Sequence, residues 1–570
     1  MQFQDTAFKD CAPAATVERI KDILTEYGIQ TTEIWQESSI PYCYAMSVCM
    51  EGTTLRSNGK GVTPELARAS GYGELIERLQ MGITGSAESQ KAALQPDITN
   101  LKKVSAQELW TRNQRWYEAL SQKLTACTGQ TMSAREILWR FADNGGMVTV
   151  REYVTPGGEI SYFPAEIIQK VYCTNGCAAG NSMEEAMVQA ISEIVERHHQ
   201  LRIFHEDLVP PEIPDSALMH CEAAWATITY LRQQGFLVSV RDCSFATAFP
   251  VICVCLIDER SGKYHTHFGA FPIFEIALER ALTEAFQGRT LENVTQFHDY
   301  SDKIPGAHHP CGLGNEIFFG SWKKTRNFFT GQPTYPFNQA MGFQAGDNKA
   351  LLKLCLDYLH QMGCDVLVQN RSALGFPTCQ IIIPGISEVM IHRLHPSLDD
   401  TRYAIAASKC LRSPANASIT DAMSLMMHLQ QLDQFGPKVR EAKGFSVCAR
   451  LPMKLSASRS EALMLASLCC VHYAMGRMGE VQIGLQKLIR LSTGYDRQRL
   501  EQVSENLLQH KNGPNPFADY VLNCDLESCA DCPVCNDCCY KQNHALATLI
   551  AEKTRQLNKD AFLCFMKSSV

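Results

Sequence analysis

Two stretches of this chain place carboxylates and guanidinium groups at helical spacing. In TNGCAAGNSMEEAMVQAISEIVER (174–197), Glu193 and Glu196 fall three residues apart and Arg197 lies one turn beyond Glu193, so on a helix all three share a face. In SNGKGVTPELARASGYGELIER (57–78), Glu74, Glu77 and Arg78 repeat the pattern; Gly61 precedes Glu74 by the interval that separates Gly180 from Glu193, and Ala67 matches Ala186. A fainter third copy keeps the interval from Ala277 to Glu284 and supplies Arg280. One E-x-x-E-R is most often a solvated helix face; recurrence behind a glycine at equal spacing is harder to dismiss. Four carboxylates brought together need cations to hold them, and hard oxygen ligands select Mg²⁺, which keeps its remaining positions for water and phosphate oxygens. The arginines suit phosphates. No G-x-x-x-x-G-K-[ST] occurs, so the residues point to a magnesium–nucleotide site built from helices without a P-loop.

The elements that must carry these groups follow from local pattern. Thr63-Pro64-Glu65 starts one helix with a capping hydroxyl, a proline suited to the first turn and an acid for the dipole. Ahead of it the spacing predicts strands ending in a glycine-rich loop, Ser57 to Gly61, a fair phosphate cradle that Lys60 would assist. Asn181-Ser182 starts the second helix. Ser182-x-x-Glu185 reads either as a capping box or as part of the site, with Glu184 left for the dipole. Residues 16–27 form an amphipathic helix with Val17, Ile20, Ile23 and Leu24 on one side. Between Gln90 and Glu159 a helix is followed by a hairpin through Asn144-Gly145-Gly146. From Tyr230 to Arg289 the order is helix, strand, strand, strand, helix, with PVICVCLI as a buried central strand. His308 and His309 fall in a polar loop, and two further strands lead to a Pro384-Gly385 turn.

At 570 residues the chain exceeds one ordinary core. A net charge of −7 and the lack of a basic stripe with interleaved aromatics give no reason to expect a nucleic-acid partner. Neither a signal sequence nor an apolar run long enough to span a bilayer is evident, so the expectation is a soluble, cytoplasmic protein without a membrane partner. Most of the 25 cysteines are scattered in apolar segments, as small buried hydrophobes in a reducing compartment.

The SNGKG segment, the paired E-x-x-E-R helices, NG-x-AAGNS-x-EEA, ERALTEAFQGR and GFPTCQIIIPGISE, in that order over residues 1–395, together resemble the YcaO family. The resemblance implies an α/β (α+β) ATP-binding domain that uses ATP and Mg²⁺ to phosphorylate a peptide-bond oxygen, so that a thiol, hydroxyl or sulfide can attack the amide carbon. It further implies nucleotide or magnesium contacts from Lys9, Thr16, Asn181, Glu185, Arg280 and Glu284, beside Glu74, Glu77, Arg78, Glu193, Glu196 and Arg197. For Lys9 and Thr16 a solvated lysine and a helix cap remain the alternative. Azoline-forming members carry a P-x-P-x-P tail; here the last proline is Pro533, which moves the expectation from cyclodehydration toward thioamidation or a related modification. Peptide or protein substrates are implied, with a sulfur-delivery or TfuA-like partner and a homodimer left open. An alternative follows the long-form subgroup, an accessory factor for β-methylthiolation of a small-subunit ribosomal protein. A nucleotide-responsive scaffold without chemistry is a third.

Beyond Leu394 the periodicity is helical. Ser458-x-x-Glu461 caps a segment similar to a tetratricopeptide helix-turn-helix, turning at Gly476 to Gly479, within an expected helical domain over 415–515. In 516–570, a C-terminal helix accompanies Cys524, Cys529, Cys532, Cys535, Cys538 and Cys539. Repeated C-x-x-C in a reducing compartment reads as a metal site of four thiolates, iron-sulfur or zinc, with redox-active thiols as the other reading.

Overall fold

The computed structural model describes residues 8–51, 55–82, 101–298, 324–395, 476–491 and 552–569, with isolated helical residues between 465 and 550. Every strand pairing among them is antiparallel, so the expected mixed fold takes its α+β form. The first sheet is β1 (Thr31–Trp35), β2 (Tyr44–Met50) and β3 (Arg56–Gly61) in that order. Helices α1 (Pro13–Glu26) and α2 (Pro64–Gln80) cover it, burying Val17, Ile20 and Leu24 with Val48, Leu75 and Ile76. Pro13 opens α1 and Thr63 caps α2 by accepting from Leu66 N–H.

The largest sheet runs β4 (Lys102–Ser105), β5 (Met147–Val154), β11 (Leu367–Asn370), β12 (Thr378–Ile382), β7 (Cys177–Ala179), with β6 (Ile160–Pro164) added on β5. On one side it packs α3 (Ala106–Thr128), whose Trp116, Tyr117 and Leu120 meet Phe163, Tyr172 and Leu367; α4 (Ala134–Trp139) closes that layer. A buried ion pair fastens α3 to the turn after β12: Lys123 Nζ lies 3.0 Å from Glu388, and Tyr172 Oη donates to the same carboxylate at 2.7 Å. Asn144 to Gly146 form a tight turn from α4 into β5, whose hairpin partner is β6 through Thr155 to Gly158.

The remaining layer holds α5 (Met183–His205), α6 (Glu222–Gln233), α7 (Phe274–Ala285) and α8 (Asn348–Gln361) around a third sheet, β10 (Tyr264–Ala270), β9 (Val251–Asp258), β8 (Phe236–Asp242). Val251 to Leu256 are wholly buried, as expected of a central strand with continuous apolar character.

Three strand–helix units are built alike. A Cβ at Gly61 would lie 2.6 Å from Ala67 N, and one at Gly180 would lie 2.5 Å from Ala186 N. At Gly59 it would meet Ala67 O at 2.0 Å and Gly71 N at 2.6 Å; at Gly269 it would meet Ala277 O at 2.6 Å and Ala281 N at 2.4 Å. The glycines let strand and helix backbones touch, which fixes where each helix face points. The expected glycine-rich loop at Ser57 to Gly61 is therefore corrected: the segment is strand β3, and its glycines serve close packing against α2.

In the C-terminal part, α9 (Met478–Leu491) buries Val481, Leu485, Leu488 and Ile489 after a turn at Gly476 with φ 69°. Residues 546 and 550 pack with the α1–α2 cluster, and α10 (Lys559–Ser568) buries Phe562 and Met566 in the main core. The Ser458–Glu461 box, His308, His309, most of 415–515 and the cysteines from Cys524 to Cys539 lie outside the described residues.

Candidate functional site

The three units bring the acids of α2 and α5 together with α7. Burial first, then the charges of Glu193 and Glu74, hold Glu77 well above the carboxylate range against the opposing pull of Arg78 and Arg197. Glu193 is likewise raised by burial, with Arg197, Arg280 and Lys60 opposing and Glu196 adding to the shift. Between units, Lys60 on β3 pairs with Glu284 on α7, and Glu196 on α5 accepts from Ala270 N–H at 3.0 Å at the end of β10. Burial and neighbouring Arg280 bring the Lys60 ammonium down to about 8, although Glu196, Glu74 and Glu193 pull the other way. Burial lowers Arg280 while Glu196 and Glu193 raise it. Its Nη1 donates to Gln189 Oε1 at 2.9 Å.

Within units, Arg78 pairs with Glu74 and donates to Arg56 O at 2.8 Å, and Glu74 accepts from Asn58 N–H at 2.8 Å. Arg197 stands 2.8 Å from Glu193. No three His, Cys, Asp or Glu side chains among the described residues stand in a ready-made metal cage; Glu74, Glu193 and Glu196 are each held by a protein partner instead. The donor set nevertheless fits a divalent cation. Hard oxygens from two helices converge, two of the carboxylates are destabilised in their charged form, and a cation would relieve that repulsion.

At the N-terminal end of α5 a second polar group forms. Lys9 Nζ lies 3.1 Å from Glu185 Oε1, Thr16 Oγ1 donates to Asn181 Oδ1 at 2.8 Å, and Asn181 Nδ2 donates to Glu185 Oε2 at 3.1 Å. Ser182 caps α5 by accepting from Glu185 N–H at 3.1 Å. The reciprocal half of a capping box is replaced, because the Glu185 carboxylate is engaged by Lys9, Asn181 and the Asp10 N–H. Lys9 and Thr16 thus meet residues some 165 or more positions away in sequence.

All twelve residues expected at the site fall into these two groups, which share α5. Sequence reasoning missed Gln189, although it precedes Glu193 by one turn on the same face. It also missed Asp10, Arg19 and Asn348. Arg19 donates to Asn181 O at 3.2 Å; an arginine on an exposed helix face gives no sign of this.

Comparison with known proteins places this architecture. A family model described as YcaO cyclodehydratase, ATP- and Mg²⁺-binding, matches residues 58–387, and the chain belongs to the YcaO family. It is 28% identical over 398 residues to the ribosomal protein S12 methylthiotransferase accessory factor YcaO of Escherichia coli (strain K12), covering 67% of this chain and 66% of that protein. An uncharacterized protein of Haemophilus influenzae is 27% identical over 427 residues, covering 70% of this chain and 67% of its own length. The chain thus spans about two thirds of these relatives. Among solved structures, YcaO from Methanopyrus kandleri bound with AMPPCP and Mg²⁺ is 18% identical with a TM-score of 0.42, covering 68% of this chain and 94% of that one. A heterocyclase in complex with substrate and cofactor is 16% identical with a TM-score of 0.46, covering 66% and 52%.

Proposed function

We propose that this protein binds Mg-ATP between α2, α5 and α7 and uses it to phosphorylate a backbone amide oxygen in a peptide or protein. The observation that carries this reading is the convergence of Glu74 and Glu77 with Glu193 and Glu196, beside Arg280, from three strand–helix units of like build. Bound Mg-ATP supplies the γ-phosphoryl group and the positive charge that eases its transfer. The four glutamates hold the cation; Arg78, Arg197, Arg280 and Lys60 bind phosphate oxygens and neutralise charge as it develops. Lys9, Thr16, Asn181 and Glu185 form the nucleotide-recognising end. The phosphoryl group passes to the amide oxygen as ADP leaves; a thiol, hydroxyl or sulfide adds to the amide carbon, and inorganic phosphate departs. Thioamide or related modification is the outcome we assign, in the cytoplasm, with a sulfur-delivery or TfuA-like protein as partner.

A second reading draws on the Escherichia coli relative. Here ATP use would assist a partner's β-methylthiolation of a small-subunit ribosomal protein, with the helical segment over 415–515 as the docking surface. Phosphate release measured with and without a candidate peptide tests the first reading. Peptide-stimulated release supports amide activation, release stimulated by the partner protein alone supports the accessory role, and no turnover under either condition leaves a scaffold. The cysteine segment from Cys524 to Cys539 is proposed separately as an iron-sulfur or zinc site, tested by metal analysis of anaerobically purified protein.

A further inference from the structure

The first described residues make contacts that the nucleotide reading does not use. Phe8 adopts a left-handed backbone conformation, φ 61°, which for a bulky residue persists only where the surroundings over-determine it. The surroundings here are Asn348 and Asp10. Asn348, the first residue of α8 and 2% exposed, donates through Nδ2 to Phe8 O at 3.0 Å and to Asp10 Oδ1 at 2.9 Å. The other Asp10 oxygen accepts from the Ser182 hydroxyl, and the Asp10 N–H donates to Glu185 Oε2 at 3.1 Å. Asp10 therefore ties the segment ahead of α1 to the N-cap of α5 and to the first residue of α8. The residue between the kink and this clasp is Lys9, whose ammonium meets Glu185.

We propose that Asp10 is a positioning residue for nucleotide binding, anchored by Asn348 and Ser182, and that it acts by holding Lys9 against Glu185. The proposal rests on the reading that Lys9 and Glu185 contact the nucleotide. Lys9 is a long side chain with 42% of its surface exposed, and left to itself it would sample many rotamers. Pinning the backbone on both sides keeps the ammonium within reach of Glu185, whose carboxylate then holds it, so a ligand finds it already in place. Asp10 is exposed and precedes α1, so its replacement leaves the core intact.

The test is a double-mutant cycle read by titration calorimetry of Mg-ATP on the full chain. Asp10→Ala loses charge-assisted contacts and should weaken binding about tenfold, with the circular dichroism of the nucleotide-free protein unchanged. Asp10→Asn, which keeps an oxygen for Asn348, should recover most of the affinity. In a Lys9→Ala background, Asp10→Ala should add less than about twofold, because the group it positions is gone. Wild-type affinity in Asp10→Ala, or full additivity with Lys9→Ala, overturns the proposal alone. Unchanged affinity in Lys9→Ala overturns the nucleotide reading of this end, and the proposal with it.

Discussion

Glu196 on α5 accepts a hydrogen bond at 3.0 Å from the backbone N–H of Ala270, the last residue of β10. One carboxylate oxygen is thereby fixed by the third unit, while Glu193, one turn earlier, is held by Arg197. The same third unit contributes Arg280, which sees both acids. Arg280→Ala should therefore reduce nucleotide affinity or turnover by about tenfold or more, the scale of a lost charge-assisted contact. The melting temperature without nucleotide should change little. A loss of stability of the same size with and without ATP would mark Arg280 as structural.

Glu77 and Glu193 give the site a pH signature. Burial and their neighbours' charge raise both above the ordinary carboxylate range, so the folded state holds protons that the unfolded chain releases. Stability from these groups is present at low pH and declines as pH rises above the unfolded value near 4.5 toward the folded one. The stability of metal-free wild type relative to metal-free Glu77→Gln should show this decline, and Mg²⁺ should flatten it. A difference between wild type and Glu77→Gln that rises over that window would contradict the raised Glu77 carboxyl.

The glycine contacts predict a steric penalty. Gly59→Ala would set a methyl group 2.0 Å from Ala67 O, a backbone atom that cannot swing aside, so β3 and α2 must separate. A loss of about 2 kcal/mol or more is expected in denaturant titrations. A neutral result would mean the unit is looser than its geometry implies.

The buried pair of Lys123 and Glu388 lies on the α3 side of the large sheet, and its side chains are 9% and 0% exposed. Glu388→Ala strands a buried ammonium and a tyrosine hydroxyl, and should cost about 3–5 kcal/mol. Mg-ATP affinity of whatever remains folded should be unchanged, since neither residue belongs to the three units. Equilibrium unfolding paired with calorimetry checks both halves.

Much of this site could be read from the chain because its chemistry repeats. The interval from Gly61 to Glu74 recurs from Gly180 to Glu193, and identical packing of Gly61 on Ala67 and Gly180 on Ala186 is the physical reason. The third unit was legible only from Ala277 onward. Its glycine, Gly269, matches Gly59 rather than Gly61, so a search keyed to one interval passes over it. The SNGKG segment misled for a related reason: glycines that allow two backbones to touch look, in sequence, like glycines that make a turn. Asn348 carried no signal, because its role depends on where α8 begins relative to a residue some 338 positions away. The antiparallel character of the sheets was equally hidden, since a fully buried strand such as β9 is apolar throughout in either arrangement.

The central claim is that the glutamates of α2 and α5 hold magnesium for ATP. Titration calorimetry of ATP against wild type, Glu77→Gln and Glu196→Gln, each with and without Mg²⁺, tests it most directly. The account predicts that each substitution removes most of the magnesium-dependent affinity while circular dichroism stays near wild type and the metal-free melting temperature is not lowered. Undiminished magnesium-dependent binding in both variants would contradict it.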